Sequence, residues 1–170
     1  GDFDVATSAH PEEILRVFGS RFSVPTGLQH GTVTVLLGEP PRQVEVTTFR
    51  GEGAYLDGRH PSVVSFGASL AEDLSRRDFT MNAIAYEPQA GVVVDLHQGQ
   101  QDIARRLVRT VGDPIQRFSE DGLRPMRAVR QATQLGFDVD ASTLAAISAT
   151  LDAFRKVSAE RVRDELLKLL

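Results

Sequence analysis

The spacing of apolar residues changes once along the chain, and this change limits the folds that its 170 residues can adopt. Two β-branched runs, at 31–37 and 43–49, alternate along their length and flank a turn-like Gly-Glu-Pro-Pro, which predicts a β-hairpin. From about Ser119 onward the apolar residues recur at helical spacing. The first residues of that helical series are Leu123, Met126, Val129 and Ala132. The pattern therefore predicts an α+β part followed by an all-helical part.

A short run of turn-forming residues indicates where the two parts meet. Gly112-Asp113-Pro114 lies between them and marks a boundary or hinge. We therefore expect a domain at 1–112, with a small mixed or antiparallel sheet and helices, and a helical domain at 113–170. Within the first, Pro11–Phe18 has proline at its start and acids behind it, which predicts a helix. The run at 92–96 predicts another strand.

Composition excludes several classes of protein. No run of eighteen apolar residues occurs, so no membrane-spanning helix or membrane partner is predicted. The chain has no cysteine, which excludes disulfides and thiolate metal sites and agrees with a cytoplasmic location. The four histidines lack the spacing of a metal site. A net charge of −4 is unlike that of a general nucleic-acid binder.

Two aspartates near the start of the sequence are candidate metal ligands. Asp2 and Asp4 stand at positions i and i+2, so on a strand their carboxylates share a face. Such a pair repels unless a cation or a proton lies between the two groups, and Mg²⁺ takes oxygen ligands together with substrate phosphates. Glu45, in the middle of a predicted strand, is a candidate third carboxylate. The set suits metal-assisted phosphoryl transfer; solvated surface is the alternative.

The segment RRDFTMN at 76–82 combines two cations, an acid and an amide. Arginine side chains such as Arg77 suit phosphates, and Asp78 and Asn82 suit the hydroxyls of a ribose. The alternative is a helix N-terminus that Asp78 caps. The two roles are compatible.

A third cluster lies in the segment EDGLRPMRAVR at 120–130. Asp121 and Arg124, at i and i+3, are neighbours on a helix, where an acceptor and a donor together match the pairing edge of cytosine or adenine. Arg127 and Arg130 follow at spacing three and sweep round the helix, within reach of phosphates. The alternative is an intrahelical Asp121–Arg124 salt bridge, worth little. Pro125 predicts a helix that is kinked or starts late.

These clusters and their flanking segments, in this order, resemble the class II tRNA nucleotidyltransferases of the CCA-adding and bacterial poly(A) polymerase family. The segments are DFDVATSAHPEE, LQHGTVTV, EVTTFRGEGAYLDGRHP, LAEDLSRRDFTMNAIAYEP, VGDPIQRFSEDGLRPMRAVRQATQLGF and SAERVRDELLKLL. The resemblance implies a polymerase-β-like nucleotidyltransferase head and a helical neck. It also implies Mg²⁺-dependent addition of CMP and AMP, from CTP and ATP, to the 3′ end of tRNA without a nucleic-acid template.

The resemblance further implies roles for individual positions. Asp2 and Asp4 match metal-binding catalytic carboxylates, and Glu45 matches a third catalytic carboxylate. The residues that match nucleotide-binding positions are Arg77, Asp78, Asn82, Asp121, Arg124, Arg127 and Arg130. Among these, Asp121 and Arg124 match the pair that reads the incoming base. The residues that match a structural motif near the end of the sequence are Glu160, Arg161 and Glu165.

Three alternatives remain open at this point. The glycine-rich segment at 51–61 resembles a flexible loop of full length, which favours CCA addition over CC-only addition. A bacterial poly(A) polymerase or an A-only enzyme is the second alternative. In the family a glycine-rich element precedes the paired aspartates and tRNA-binding domains follow the neck, so either this chain is a fragment of such an enzyme or those parts come from elsewhere. The third alternative is therefore an inactive nucleotide- or RNA-binding fragment.

Overall fold

The computed structural model describes residues 4–51 and 67–170, and these residues fall into two compact units. The first unit contains 4–51 and 67–73, and the second contains 74–170. The division comes earlier than the boundary expected at 112, because Phe79 and Val108 pack in the same core as Phe118. The expected division at 112 stays a prediction about how the two functions are separated.

The first unit is built around a four-stranded mixed sheet. Its elements are β1 (Asp4–Thr7), α1 (Pro11–Phe18), β2 (Ser23–Gly27), a 3₁₀ helix (Leu28–His30), β3 (Thr32–Leu37) and β4 (Arg42–Thr48). The strand order is β1-β4-β3-β2, with β1 parallel to β4 and the other pairs antiparallel. The predicted hairpin is confirmed as β3–β4, and the predicted first helix is confirmed as α1.

The alternation along β3 and β4 gives the sheet two unlike faces. Val33 and Val35 of β3 and Val46 of β4 are buried together with Ile14 of α1, and these four residues form the core of the unit. Residues of the opposite parity point to the other face. That face carries Glu45, which is exposed.

The second unit contains short strands and most of the helices. Helix α2 (Leu70–Ser75) contains the boundary between the units. The elements that follow are a 3₁₀ helix (Thr80–Asn82), β5 (Ile84–Glu87), β6 (Val92–Asp95), α3 (Gly99–Ala104), β7 (Leu107–Val108), α4 (Pro114–Glu120), α5 (Arg124–Leu135), β8 (Asp138–Val139), α6 (Ala141–Ala149), α7 (Leu151–Phe154) and α8 (Ala159–Leu167). Strand β5 pairs with β6, and β7 pairs with β8. The predicted strand at 92–96 is confirmed as β6. The molecule is thus of the α+β class, as the sequence indicates.

The core face of α5 is formed by small residues. Ala128 and Ala132 are buried there in one cluster with Phe118 of α4, whereas Val129, another member of the predicted helical series, is 45% exposed. Leu123 and Ala132 of that series are buried, as the helical spacing predicts. The small alanines allow α4 and α5 to approach closely. In the described part of the chain, no helix is long and apolar enough to cross a membrane.

The start of α5 explains the proline in its sequence. Pro125 lies in the first turn of the helix, where its missing N–H would have no partner within the helix. The helix therefore starts late, at Arg124, which is one of the two predicted outcomes. Gly122 lies just before it, and a Cβ there would lie 2.2 Å from the carbonyl oxygen of Ala153. Only glycine fits this close approach.

Candidate nucleotide site

Two of the three predicted carboxylates can be located, and they are neighbours in the first unit. Asp4 of β1 and Glu45 of β4 are partners in the parallel register, so their side chains share the exposed face of the sheet. Asp2 lies outside the described residues. Within the described ranges no cluster of three or more candidate metal-binding side chains is found.

The donor set of this pair fits a hard divalent cation. Asp4 and Glu45 supply carboxylate oxygens, which Mg²⁺ accepts along with water and substrate phosphates. Both residues are exposed at the polar face, so a substrate oxygen has room to complete the coordination. The sheet register thus brings the acid of β4 beside the acid of β1, although 41 positions separate them in the sequence.

In the second unit, Asp78 lies at the centre of a hydrogen-bonded cluster. Its Oδ1 accepts from Asn82 Nδ2 at 3.0 Å and from the backbone N–H of Phe79 at 2.8 Å. Its Oδ2 accepts from Arg127 Nε and Nη2 at 2.9 and 2.7 Å. Arg77 Nη1 also donates to the carbonyl of Asn82, at 3.5 Å. Four predicted nucleotide-binding residues therefore meet here.

The predicted capping role of Asp78 takes a different form. The short 3₁₀ helix that follows has Phe79 at its N-cap position, and the N–H of Phe79 is the backbone donor recorded for the Asp78 side chain. The carboxylate of Asp78 is engaged mainly with Arg127 on α5. Burial disfavours the charged guanidinium of Arg127, but the charge and hydrogen bond of Asp78, together with the charges of Glu165 and Asp121, outweigh this effect and raise the pKa of Arg127. Arg127 is thus always charged.

A buried acid fixes the 3₁₀ turn that carries Asn82. Asp102 of α3 is 2% exposed and accepts from Thr80 Oγ1 at 2.5 Å and from Arg109 Nε at 2.9 Å. Gly99, at the start of α3, packs so closely on Thr80 that a Cβ would lie 2.2 Å from its carbonyl oxygen. The position of Asn82 therefore depends on a network that the sequence analysis did not include.

The predicted base-reading pair, Asp121 and Arg124, is not a pair on one helix. Helix α4 ends at Glu120 and α5 begins at Arg124, so Asp121 lies in the connection between them. Asp121 accepts from Arg161 Nη1 and Nη2 at 3.1 and 2.8 Å, and from the N–H of Leu123 at 3.0 Å. The predicted alternative, an intrahelical Asp121–Arg124 salt bridge, is therefore wrong, because Arg161 of α8 binds the carboxylate instead.

Arg124 is held by a different acid. Its Nη1 donates to Glu120 Oε2 at 2.6 Å and to the carbonyl of Arg117 at 2.9 Å. Glu120 also pairs with Arg117, at 3.1 Å, and all three side chains are mostly buried. Asp121 and Arg124 are thus each oriented by a separate partner.

Among the remaining predicted residues, Arg130 and Glu165 join α5 to α8. Arg130 Nε donates to Glu165 Oε1 at 2.5 Å, and Glu165 is 2% exposed. Arg130 also donates to Gln134 at 2.7 Å. The side chain of Arg130 is 14% exposed and that of Arg127 is 33% exposed, so Arg130 is the less accessible of the two to a phosphate. Glu160 is exposed in the first turn of α8.

The sequence analysis did not predict the ion pairs that Glu120 forms with Arg124 and that Arg161 forms with Asp121. Glu120 lies only four positions before Arg124 in the sequence, and this short separation is a signal of a local ion pair, although the two residues end one helix and begin the next. Arg161 was predicted only as structural, and no local spacing connects it to Asp121 across 40 positions. The predicted loop at 51–61 lies outside the described residues, apart from Gly51.

Two known protein families match the sequence of this chain. Residues 1–109 match the family described as "Poly A polymerase head domain". Residues 136–170 match the family described as "Probable RNA and SrmB-binding site of polymerase A". The CCA-adding enzyme of Levilactobacillus brevis is 50% identical over 99% of this chain and 41% of its own length. That of Enterococcus faecalis is 47% identical over 99% of this chain and 40% of its own length.

Solved structures are also similar. The Bacillus stearothermophilus CCA-adding enzyme in complex with CTP matches with a TM-score of 0.88 and 43% identity, over 99% of this chain and 39% of that one. A tRNA nucleotidyltransferase complexed with a primer tRNA and an incoming ATP analog matches with a TM-score of 0.75 and 27% identity, over 98% of this chain and 47% of that one. The chain spans about two fifths of the length of the curated relatives it matches, 41% in the first case. The family match confirms the resemblance seen in the sequence: the chain belongs to the poly(A) polymerase head-domain family.

Proposed function

We propose that this chain is the nucleotidyltransferase head and neck of an enzyme that adds CMP and AMP, from CTP and ATP, to the 3′ end of tRNA. The observation that carries the proposal is the cluster of Asp78, Asn82 and Arg127, which joins two distant segments around one carboxylate. The names of the relatives, CCA-adding enzyme in each case, support CCA addition over poly(A) synthesis.

The reaction joins the RNA 3′ oxygen to the α-phosphorus of the nucleotide. The bond from that phosphorus to the bridging oxygen breaks, pyrophosphate leaves, and the proton of the hydroxyl passes to solvent or a nearby base. Arg127 has two donors directed at Asp78, and a phosphate oxygen is an equivalent acceptor for its planar fork. Asp78 and Asn82 suit the ribose hydroxyls, and Asp121 with Arg124 suits the base edge.

Mg²⁺ is the cofactor that this proposal requires. Asp4 and Glu45, with Asp2 from the same sequence motif, would hold it. When bound, the metal neutralises charge on the phosphates and lowers the pKa of the attacking hydroxyl. The residues of the chain then have only to position the nucleotide, because phosphoryl transfer depends mainly on alignment and electrostatics.

The test uses tRNA that lacks its 3′ CCA, with Mg²⁺, CTP and ATP, and reads product length on a gel. We expect extension that stops at CCA. Replacing Asp4 by alanine should lower the rate by about a hundredfold or more, because a metal ligand is lost. The matched control is Glu12→Ala, which removes another exposed carboxylate of the same unit and should leave the rate unchanged.

Each alternative predicts a different product. A long run of A would indicate a poly(A) polymerase, and extension that stops at CC would indicate a CC-adding enzyme. Binding of CTP without any extension would support the inactive fragment. An Asp4→Ala protein that keeps its rate at saturating Mg²⁺ would contradict the metal assignment.

A further inference from the structure

Asp102 of α3 is a buried acid that has no part in the proposed reaction so far. It is 2% exposed, and its Oδ2 accepts from Thr80 Oγ1 at 2.5 Å and from Arg109 Nε at 2.9 Å. Arg109 Nη2 lies 2.9 Å from the same oxygen and also donates to the carbonyl of His97 at 3.0 Å. A carboxylate is costly to remove from water unless it stays paired. Asp102 therefore constrains the position of the groups that pair with it.

Thr80 is held at its side chain and at both polar groups of its backbone. Its hydroxyl donates to Asp102, and its N–H donates to the carbonyl of Arg109 at 2.9 Å. Its own carbonyl accepts from the N–H of Ala83 at 3.0 Å. The same carbonyl packs against the start of α3, where a Cβ on Gly99 would lie 2.2 Å from it. Thr80 is thus tied to α3 and to the segment that carries Arg109.

Thr80 lies midway between the two residues proposed to contact the ribose. Asp78 precedes it by two positions, and Asn82 follows by two positions in the same 3₁₀ helix. The N–H of Asn82 donates to the carbonyl of Phe79 at 2.9 Å, and its Nδ2 donates to Asp78 Oδ1 at 3.0 Å. A 3₁₀ helix rises only about 2 Å per residue. A shift of Thr80 therefore moves Asn82 with it.

We propose that Asp102 is a positioning residue for recognition of the ribose, acting through Thr80 on Asn82. The inference rests on the proposed function, because it takes Asn82 as a contact of the ribose. Asp102 is too deeply buried to reach a nucleotide, so its effect is indirect. The proposal assigns to Asp102 and Thr80 a share in the preference for a ribonucleotide over a 2′-deoxyribonucleotide.

The test measures the ratio of kcat/KM for CTP to that for dCTP during extension of tRNA that lacks its 3′ CCA. Thr80→Val nearly keeps the shape of the side chain and removes the hydroxyl that binds Asp102. It should lower the ratio about three- to tenfold, the worth of one hydrogen bond. Thr80→Ser keeps the hydroxyl and should retain most of the wild-type ratio. Because both substrates meet the same enzyme molecules, partial unfolding does not alter the ratio.

The chain offers a matched control in a second buried threonine of the same unit. The hydroxyl of Thr150 donates to the carbonyl of Ala146 at 2.8 Å. Thr150→Val should leave the ratio at its wild-type value, whatever it does to the melting temperature. Asp102→Ala should lower the ratio as Thr80→Val does. If Asp102→Ala fails to fold, Thr80→Val decides the question, since it leaves Asp102 paired with Arg109.

A role in the fold alone predicts a lower melting temperature for Thr80→Val and an unchanged ratio, and that result overturns the inference. A ratio in Thr80→Ser as low as in Thr80→Val also overturns it. Calorimetric dissociation constants of CTP and dCTP in the presence of Mg²⁺ give the same comparison without catalysis.

The two measurements separate this inference from the proposed function. Extension of tRNA with an unchanged ratio in Thr80→Val rejects the inference alone. Absence of extension, with a preference for binding CTP that Thr80→Val lowers, rejects the proposed function alone. A wild-type protein that binds CTP no more tightly than dCTP overturns the inference, because no ribose preference then exists for Asp102 to support.

Discussion

At the scale of single residues, the candidate site consists of ion pairs whose members come from different elements. Asp78 pairs with Arg127, Asp121 with Arg161, and Glu120 with Arg124, in each case within 2.8 Å. The side chains of these pairs are at most one third exposed, so solvent screens them less than it screens surface pairs. Four of the predicted nucleotide-binding residues are therefore each held by an ion pair.

We predict that replacing Arg161 by alanine lowers the free energy of unfolding by about 1.5–3 kcal/mol, because Asp121 loses charge-assisted hydrogen bonds. Selectivity among the four triphosphates should fall as well, since the carboxylate of Asp121 is no longer oriented. Thermal melts and relative incorporation rates measure the two effects.

The chain contains a matched control for this change. Arg155 and Asp152 form an ion pair at the same distance of 2.8 Å, but both side chains are at least 75% exposed. Arg155→Ala should cost about 0.5 kcal/mol or less and leave selectivity unchanged. Equal effects of the two substitutions would show that Arg161 has no special role at Asp121.

At the scale of elements, caps determine where the helices of the second unit begin. Asp113 caps α4 by accepting from the N–H of Gln116 at 2.8 Å, and Ser158 caps α8. Asp140 caps α6 by accepting from the N–H groups of Ser142 and Thr143 at 3.0 and 3.2 Å. Burial acts to raise the pKa of Asp140, but its hydrogen bonds outweigh burial and lower the pKa below 3.8.

We predict that Asp140→Ala lowers the free energy of unfolding by about 1 kcal/mol at neutral pH. Because the folded state lowers the pKa of Asp140, this stabilisation is complete above the ordinary pKa and is lost as pH falls through the lowered value. Urea unfolding of both proteins between pH 7 and strongly acidic pH should therefore show a difference that shrinks toward the acid end.

Asparagine at the same position separates the two causes. Asp140→Asn keeps a capping oxygen but cannot titrate, so it should retain most of the stability at neutral pH and remove the pH dependence that Asp140 contributes. A difference between wild type and Asp140→Ala that is constant with pH would contradict the capping assignment.

At the scale of the whole molecule, the two units have separate cores. Val33, Val35 and Val46 pack with α1 in the first, and Phe79 and Phe118 pack in the second, with no residue shared. The two cores are also built differently. The first is formed mainly by alternate residues of β3 and β4, and the second includes Ala128, Ala132 and Ala146 of the helices.

We predict that Phe118→Ala destabilises the second unit by about 3–5 kcal/mol through the cavity it leaves. Hydrogen exchange should then show faster exchange for amides of α4, α5 and α6 than in the wild type, with little change in β3 and β4. The reciprocal variant, Val35→Ala, should affect β3 and β4 and leave the helices protected. Equal loss of protection in both units in either variant would show that they unfold together.

The sequence by itself determined the local elements and the pairing that follows from them. Alternation predicts β3 and β4, and proline with acids predicts α1, because these signals act over a few neighbouring residues. The side of the sheet that carries Glu45 follows from the same alternation. The family resemblance predicts nucleotide-binding roles for Asp78, Asn82 and Arg127, and the structure brings these three side chains into contact.

Only the tertiary structure decided which charges pair and where the units divide. Arg161 reaches Asp121 across 40 positions, and Arg127 reaches Asp78 across 49. Local periodicity carries no information about partners so far apart, since a guanidinium can satisfy any carboxylate within reach. The unit boundary shifted for the same reason: Phe79 and Val108 are assigned to the helical unit by the core they join, which depends on packing in three dimensions.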